Sequence, residues 1–198
     1  MEHKLVWLTG FGPFEGAVVN SSWVGVKHMP TRGIKNKYGA VVVKQQLPVK
    51  YGFVDYRVPR KWRQLRPDLA VHVGVSGAVD CFTLESQAYK SGYMYPDVDA
   101  RTPRHGVNRA PGPDVLRTAL DVEAICKEFN ELKLDGGSLE ATVSSDPGRY
   151  LCGYIYYTSL SHGGPRSTLF VHVPPDRYTR HQLAAGLNYI VQLALAQI

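Results

Sequence analysis

Residues 69–75 read Leu-Ala-Val-His-Val-Gly-Val and are followed directly by Ser76-Gly77. A continuous apolar run of this length is typical of a strand that is buried on both faces of a parallel sheet. Small residues at its carboxyl end mark the position where open α/β sheets bind ligands. We interpret His72, in the middle of the run, as a core histidine with internal hydrogen bonds rather than a catalyst. The stretch predicts a central strand with a ligand site at its end.

Similar runs recur along the chain and alternate with helical patterns. Further strands are predicted at residues 5–9, 40–47, 139–144 and 167–173, with a short β-prone piece at 83–85. Helix starts are indicated by an N-cap cluster at Asn20, by Asp121, and by a capping box formed by Thr179 and Gln182. No repeat or low-complexity linker divides the chain. The pattern predicts one domain over residues 1–198, a three-layer α/β/α sandwich with a mostly parallel central sheet.

Composition narrows the class of protein. The 198 residues are 44% hydrophobic and 20% charged, which is ordinary for a globular domain. Three cysteines without a Cys-x-x-Cys pair argue against a disulfide framework and against a zinc site, so no metal is expected. The sequence has no secretory signal pattern and no apolar run of membrane-spanning length. We therefore expect a cytoplasmic protein that does not associate with membranes.

The net charge of +6 raises the possibility of nucleic-acid binding. Basic residues cluster around Trp62, from Arg57 to Arg66. A solvated helix face explains such a cluster equally well, and no RNA- or DNA-binding motif accompanies it. We do not expect a nucleic-acid partner.

Cysteine chemistry is suggested by residues 144–152, which read Ser-Ser-Asp-Pro-Gly-Arg-Tyr-Leu-Cys. The pattern predicts a strand end, a Pro/Gly turn and the start of a helix that continues to about residue 160. Cys152 would then meet the positive end of a helix dipole and free N–H groups, which favour a thiolate. A buried structural cysteine remains the alternative interpretation.

Two other segments offer partners for this thiol. His172 lies near the end of the strand at 167–173, and Glu85 ends the short piece at 83–85. Because the carboxyl ends of parallel strands meet at one edge of a sheet, we expect Cys152, His172 and Glu85 to converge there. Imidazole would take the thiol proton and the carboxylate would fix the imidazole tautomer. The alternative bases are His162 and His105, and the alternative acid is Asp146.

Two loops complete the expected site. Residues 10–16 are glycine-rich and carry Phe11 and Phe14 where a phosphate-binding loop would carry lysine and serine or threonine. They suit a flat, apolar ligand, unless both rings simply cap the core. Residues 86–113 lack periodicity, and a loop of this length is often a lid, so we expect a mobile flap over the site.

Together, several blocks of the sequence resemble pyroglutamyl-peptidase I, a family of cysteine peptidases, and its animal branch more than its bacterial one. The blocks are Thr9–Phe14, Asn20–Trp23, His72–Gly77, Thr83–Glu85, Asp146–Cys152 with Tyr156–Leu160, and Phe170–Pro175.

The resemblance implies hydrolysis of the bond after an N-terminal pyroglutamyl residue, through a thioester and a triad of Cys152, His172 and Glu85. Phe11 and Phe14 would pack against the pyroglutamyl ring, with Asn20 a further candidate for substrate binding. The reaction needs a reduced thiol and no cofactor, and animal members of the family are monomers. The alternative is a weak or inactive homologue that only binds pyroglutamyl peptides.

Two features depart from the family pattern. Pro147 stands where animal members have a small residue other than proline, and it restricts the backbone of the catalytic turn. The arginine that bacterial members carry beyond the catalytic glutamate has no clear counterpart here, and Arg101 is the nearest candidate.

Overall fold

A six-stranded sheet forms the centre of the structure, a computed structural model that describes residues 3–15, 18–164 and 168–198. The strands are β1 (Leu5–Phe11), β2 (Val41–Leu47), β3 (Leu69–Val75), β4 (Phe82–Glu85), β7 (Ala141–Ser144) and β8 (Thr168–Val173). Their order across the sheet is β2-β1-β3-β8-β4-β7. A separate antiparallel pair joins β5 (Gln87–Tyr89) to β6 (Val115–Arg117). The sheet confirms the predicted α/β fold, although β7 begins two residues later than the sequence pattern predicts.

The direction of two strands decides the geometry of the site. β2, β1, β3 and β8 pair in parallel, whereas β4 pairs antiparallel with β8 and parallel with β7. β4 and β7 therefore run opposite to the other four strands. The sheet is mostly parallel, as predicted, but its last two strands are reversed.

Helices cover both faces of the sheet. They are α1 (Ser21–His28), α2 (Arg32–Tyr38), α3 (Tyr51–Leu65), α4 (Val122–Glu131), the short turn α5 (Leu134–Gly137), α6 (Leu151–Gly163) and α7 (Arg180–Leu195), with a 3-10 turn at Arg104–Gly106. One buried cluster joins α1, α4 and α7 to alternate residues of the strands, and a second joins α3 and α6 to the opposite face. Within the described ranges, no helix combines the length and apolarity needed to cross a bilayer.

The predicted helix starts are confirmed by their hydrogen bonds. Asn20 accepts from the N–H of Ser22, and Asp121 accepts from the N–H of Ala124. At α7, the capping box between Thr179 and Gln182 is complete. Each cap satisfies N–H groups that the first helical turn leaves without partners.

Residues 86–113 are more regular than the sequence indicates. The segment contains β5 and the 3-10 turn, and its buried residues include Tyr93, Asp97 and Asn108. The amide of Asn108 donates to the carbonyl of Tyr154 and to the hydroxyl of Thr158, which attaches the segment to α6. Most of the segment is irregular, as expected, but β5 pairs with β6 across residues 90–114 and Asn108 attaches the segment to α6.

Candidate active site

His172 and Glu85 form a buried pair. His172 Nδ1 lies 2.8 Å from Glu85 Oε1, and the two residues are 5% and 1% exposed. In the register between β8 and β4, His172 lies opposite Thr83, and Glu85 lies opposite Phe170. The imidazole and the carboxylate are therefore diagonal neighbours on one face of an antiparallel pair, a spacing that long side chains bridge.

The predicted residues converge, but not at a shared carboxyl edge of the sheet. Because β4 and β7 run opposite to β8, their carboxyl ends do not lie at the carboxyl edge of β8. Glu85 reaches His172 across the antiparallel pair instead. Residues 145–150 then bring the chain from the end of β7 to the start of α6, on the sheet face that carries His172.

Cys152 is the second residue of α6 and is partly buried. Its thiol lies over Gly74 of β3, because a Cβ added to Gly74 would be 2.6 Å from Cys152 Sγ. Gly74 is the register partner of His172 in β8, which places the thiol and the imidazole side by side. The N–H groups of the first turn of α6 have no carbonyl partners within the helix, as at any helix start.

The proton affinity of His172 reflects both neighbours. Burial alone lowers the pKa of His172, but the charge of Cys152, its hydrogen bond with the ring, and the Glu85 carboxylate together raise the pKa to about 9. At neutral pH the ring is therefore an imidazolium held between a sulfur and a carboxylate.

The alternative bases lie in other parts of the fold, and the alternative acid lines the same region without contacting the His172 ring. His162 lines a depression beside Trp62, and burial followed by the charge of Arg63 lowers its pKa. His105 lines a different depression beside Asp55. Asp146 is exposed and forms an ion pair with Arg149 at 2.6 Å. None of the three contacts the His172 ring, whereas Glu85 does.

His72 has the core role predicted for it. Its Nδ1 lies 2.7 Å from the Thr9 hydroxyl and its Nε2 lies 2.6 Å from the Ser159 hydroxyl. Complete burial lowers its pKa to about 3, so the ring stays neutral. His72 thus links β1 and β3 to α6 beneath the site.

A narrow cavity adjoins the thiol, and we call it the aromatic slot. Its volume is about 40 Å³. Its lining consists mainly of apolar and aromatic side chains, Phe11, Phe14, Val49, Val75, Tyr150 and Leu151, with Asn20 and Cys152. The structure therefore brings all three predicted substrate-binding residues to one side of Cys152.

Local contacts explain how this loop is held. The N–H of Phe11 donates to the Ser22 hydroxyl, and the Asn20 amide donates to the carbonyl of Gly12. Asn20 Oδ1 in turn accepts from both the N–H and the hydroxyl of Ser22. Most of the hydrogen-bonding capacity of Asn20 therefore stabilises the loop that carries Phe11 and Phe14, and one N–H of its amide has no partner among the described residues.

A wider cavity opens on the other side of the thiol, and we call it the histidine cleft. Its volume is about 770 Å³, and Cys152, His172 and Glu85 all line it. The remaining lining comes from residues 75–85 and from the segment 142–150. The aromatic slot and the histidine cleft share Val75, Tyr150 and Cys152, so the thiol stands between a narrow aromatic space and a wider one that His172 and Glu85 also line.

Known proteins with similar sequences place this arrangement in a family. A family model described as pyroglutamyl peptidase matches residues 4–187. The chain belongs to the pyroglutamyl peptidase family. It is 38% identical to pyroglutamyl-peptidase 1 of Rattus norvegicus over 191 residues, which cover 96% of this chain and 88% of the relative.

Two further relatives extend the comparison. Identity with the pyrrolidone-carboxylate peptidase of Chromobacterium violaceum is 34% over 188 residues, covering 93% of this chain and 85% of that one. The crystal structure of pyroglutamyl peptidase I from Bacillus amyloliquefaciens superposes with a TM-score of 0.82 at 25% identity, covering 98% of both chains. The resemblance to the animal branch and the predicted fold are both confirmed.

Two residues at the site of this family member were not identified from the sequence. Gly74 leaves room for the thiol, and the Tyr156 hydroxyl donates to the backbone carbonyl of Glu85 at 2.7 Å. Both lie in the sequence blocks that resemble the family, but their roles depend on contacts across the sheet. A glycine inside a buried strand was the available signal, since such a residue often marks a close approach of another group.

The turn before Cys152 accommodates Pro147, which is buried. The N–H of Asp146 donates to the Ser144 hydroxyl, and the N–H of Gly148 donates to the Asp146 carboxylate. Gly148 has a φ of 76°, a value that favours glycine. Pro147 therefore lies in a turn that is closed by the hydrogen bonds of Ser144, Asp146 and Gly148.

Arg101, the candidate for the family arginine, does not reach the thiol. It is exposed and lines the depression that also contains His105. In the described ranges, no three His, Cys, Asp or Glu side chains are arranged to share a metal ion.

Proposed function

We propose that this protein hydrolyses the bond between an N-terminal pyroglutamyl residue and the rest of a peptide, with Cys152, His172 and Glu85 as its catalytic triad. The observation that carries the proposal is the position of His172, with Nδ1 on Glu85 and the thiol of Cys152 beside the ring. The similarity to proteins named pyroglutamyl-peptidase 1 supports the choice of substrate.

The aromatic slot suits the ring of this substrate. A pyroglutamyl residue is a flat lactam without the charged amine of an ordinary N-terminus, so it favours an apolar site without an acidic anchor. Among the described residues that line the slot, none is charged, and only Asn20, Tyr150 and Cys152 carry a polar side-chain atom. Phe11 and Phe14 would contact the ring, and the free N–H of the Asn20 amide is available to its oxygen.

The first half of the reaction forms a thioester. Cys152 Sγ attacks the carbonyl carbon of the pyroglutamyl residue, and the oxygen takes the electron pair of the C=O π bond. Free N–H groups at the start of α6 stabilise the resulting oxyanion. The C–N bond then breaks, and the proton on His172 Nε2 passes to the leaving amine, since Nδ1 faces Glu85.

The second half releases the product. His172, now neutral, removes a proton from water as the water oxygen attacks the thioester carbon. The C–S bond breaks, pyroglutamate leaves, and the thiolate beside the imidazolium is restored. Glu85 holds the ring orientation in both halves. Every proton transfer uses groups of this chain and water, so we propose that a reduced thiol suffices without metal or organic cofactor. We also propose that the protein acts on peptides as a monomer.

The test is release of a fluorescent amine from a pyroglutamyl amide under reducing conditions. We expect turnover by the wild type and its loss in Cys152→Ser. Cys81→Ser is the matched control, because Cys81 also lines the histidine cleft but has no contact with His172. An alanyl amide, which carries a charged N-terminus, should not be cleaved. A folded and reduced wild type without turnover would contradict the proposal.

A further inference from the structure

The position of His172 determines where the leaving peptide lies, provided that the proposed function is correct. His172 must reach the departing nitrogen, and it lines the histidine cleft but not the aromatic slot. With the pyroglutamyl ring in the slot and the scissile carbon at Cys152, the following residues extend into the cleft. A third cavity beyond Phe14 is lined by neither Cys152 nor His172, so it is not the exit for the peptide.

The charge of the histidine cleft is opposite to that of the molecule. The chain carries 23 lysines and arginines against 17 acidic residues. Yet among the described residues that line the cleft there is no lysine or arginine, whereas Asp80, Glu85 and Asp146 all contribute carboxylates. These carboxylates outnumber the single imidazolium of His172 in the lining, so the cleft has a negative potential.

The three carboxylates do not contribute equally. Asp146 is neutralised in part by its ion pair with Arg149, and Glu85 by His172. Asp80 is exposed at the mouth of the cleft, and no described residue forms a hydrogen bond or an ion pair with its carboxylate. Asp80 is therefore the carboxylate that an incoming charge would sense most strongly.

An independent feature also indicates that the cleft accepts hydrogen-bond donors. Glu85 is 1% exposed and lines the cleft, yet its Oε2 has no hydrogen-bond partner in the described structure. A buried carboxylate oxygen without a donor is costly. This unpaired oxygen adds to the negative potential of the cleft lining.

We propose that the histidine cleft binds the leaving peptide and selects for a basic residue directly after the pyroglutamyl residue, with Asp80 as the main determinant. A lysine or arginine at that position gains from the negative potential, and a glutamate is repelled. The preference appears in kcat/KM, because the negative potential of the cleft acts on the peptide both when it binds and when it reacts.

The experiment compares pyroglutamyl-Lys-Ala, pyroglutamyl-Gln-Ala and pyroglutamyl-Glu-Ala. At low ionic strength we expect kcat/KM to fall in that order, with the lysyl peptide favoured over the glutamyl peptide about tenfold. Salt at about 0.5 M should reduce the ratio, because exposed charges are then screened. A ratio of one or less would overturn the inference.

Variants assign the effect to Asp80. Asp80→Asn should lower the Lys-to-Glu ratio about threefold, and Asp80→Lys should bring it to about one or below. Glu128→Gln removes an equally exposed carboxylate from α4, outside every cavity described here, and should leave the ratio unchanged. Asp146 is less suitable for substitution, because its carboxylate also closes the catalytic turn. An equal change in Asp80→Asn and Glu128→Gln would contradict the assignment.

Failure of the proposed function remains distinguishable. If none of the three peptides is cleaved, the peptidase proposal fails. Calorimetric Kd values of the same peptides then test whether the cleft prefers a basic residue. Tighter binding of the lysyl peptide supports the inference, and equal Kd values overturn it.

Discussion

His172 and Glu85 are diagonal neighbours across the antiparallel pair of β8 and β4, with 2.8 Å between Nδ1 and Oε1. The pair is nearly inaccessible to solvent, so the carboxylate interacts with the ring in a medium of low polarity. In the proposed mechanism, Glu85 holds Nδ1 so that Nε2 faces the thiol, and it stabilises the charged form of the ring.

Replacing this carboxylate should damage catalysis without changing the shape of the site. Glu85→Gln keeps the side-chain volume but cannot stabilise the imidazolium, so we expect kcat to fall about 10²- to 10⁴-fold. The pKa of His172 should also fall, because Glu85 is one of the groups that raise it. Steady-state kinetics across pH measure both effects. Glu123→Gln, on the exposed surface of α4, is the control and should behave as wild type.

The pKa of His172 predicts how activity depends on pH. Because the leaving amine takes a proton from the imidazolium, kcat should decline as pH rises through about 9. The folded-state pKa lies above the ordinary value of about 6.5. The stability that the charged ring contributes is therefore fully present below about pH 6.5 and is lost as pH rises through about 9.

Removing the thiol of Cys152 tests why the pKa of His172 is raised. Cys152→Ala eliminates both the charge and the hydrogen bond that raise the pKa of His172, so NMR titration of the ring should show a lower pKa. His72 serves as an internal reference, since its pKa of about 3 keeps it silent between pH 5 and 10. An unchanged His172 titration in Cys152→Ala would show that the thiol is not its main electrostatic partner.

The sequence was sufficient for those parts of the fold that depend on local patterns. The apolar runs of β1, β3 and β8 and the caps at Asn20, Asp121 and Thr179 were predicted because strand burial and helix capping depend on neighbouring residues. Helix α2 (Arg32–Tyr38) was missed, since its seven residues bury only Ile34 and lack a side-chain cap.

Pairing direction was the part of the site that the sequence could not supply. β4 has four residues, and its pattern fits either direction beside β8. Cys152, His172 and Glu85 were predicted to converge because their strands were expected to end at one edge of the sheet. β4 and β7 do not end at the same edge as β8. Direction depends on contacts between residues that are distant in the sequence, and no local pattern encodes them.

Gly74 should be essential for the position of the thiol. A Cβ there would lie 2.6 Å from Cys152 Sγ and 2.8 Å from the ring of Phe170, so Gly74→Ala must displace one or both. We expect a loss of about 10²-fold in kcat and about 1–3 kcal/mol in the free energy of unfolding. Gly77→Ala is the matched control, because its Cβ would meet nothing within 4 Å. Equal activity of the two variants would contradict this account.

Phe11 and Phe14 should separate binding from stability. Phe14 is half-buried, so Phe14→Ala should lower kcat/KM about tenfold, mostly through KM, with little loss of stability. Phe11 is 3% exposed and belongs to the core, so Phe11→Ala should also cost about 3–5 kcal/mol of unfolding free energy. Kinetics and thermal unfolding of both variants distinguish the roles. An unaltered KM in Phe14→Ala would remove Phe14 from the ring site.

The three cysteines should differ in reactivity. Burial, followed by the charge of Glu140, raises the pKa of Cys81, and burial followed by Glu123 raises the pKa of Cys126. Cys152 instead forms a hydrogen bond with the His172 ring, the group that is positioned to exchange a proton with the thiol. Iodoacetamide at pH 7 should therefore modify Cys152 first, and loss of activity should follow its modification in peptide mass maps. Faster modification of Cys81, which lines the same cleft, would show that access rather than the imidazolium governs reactivity.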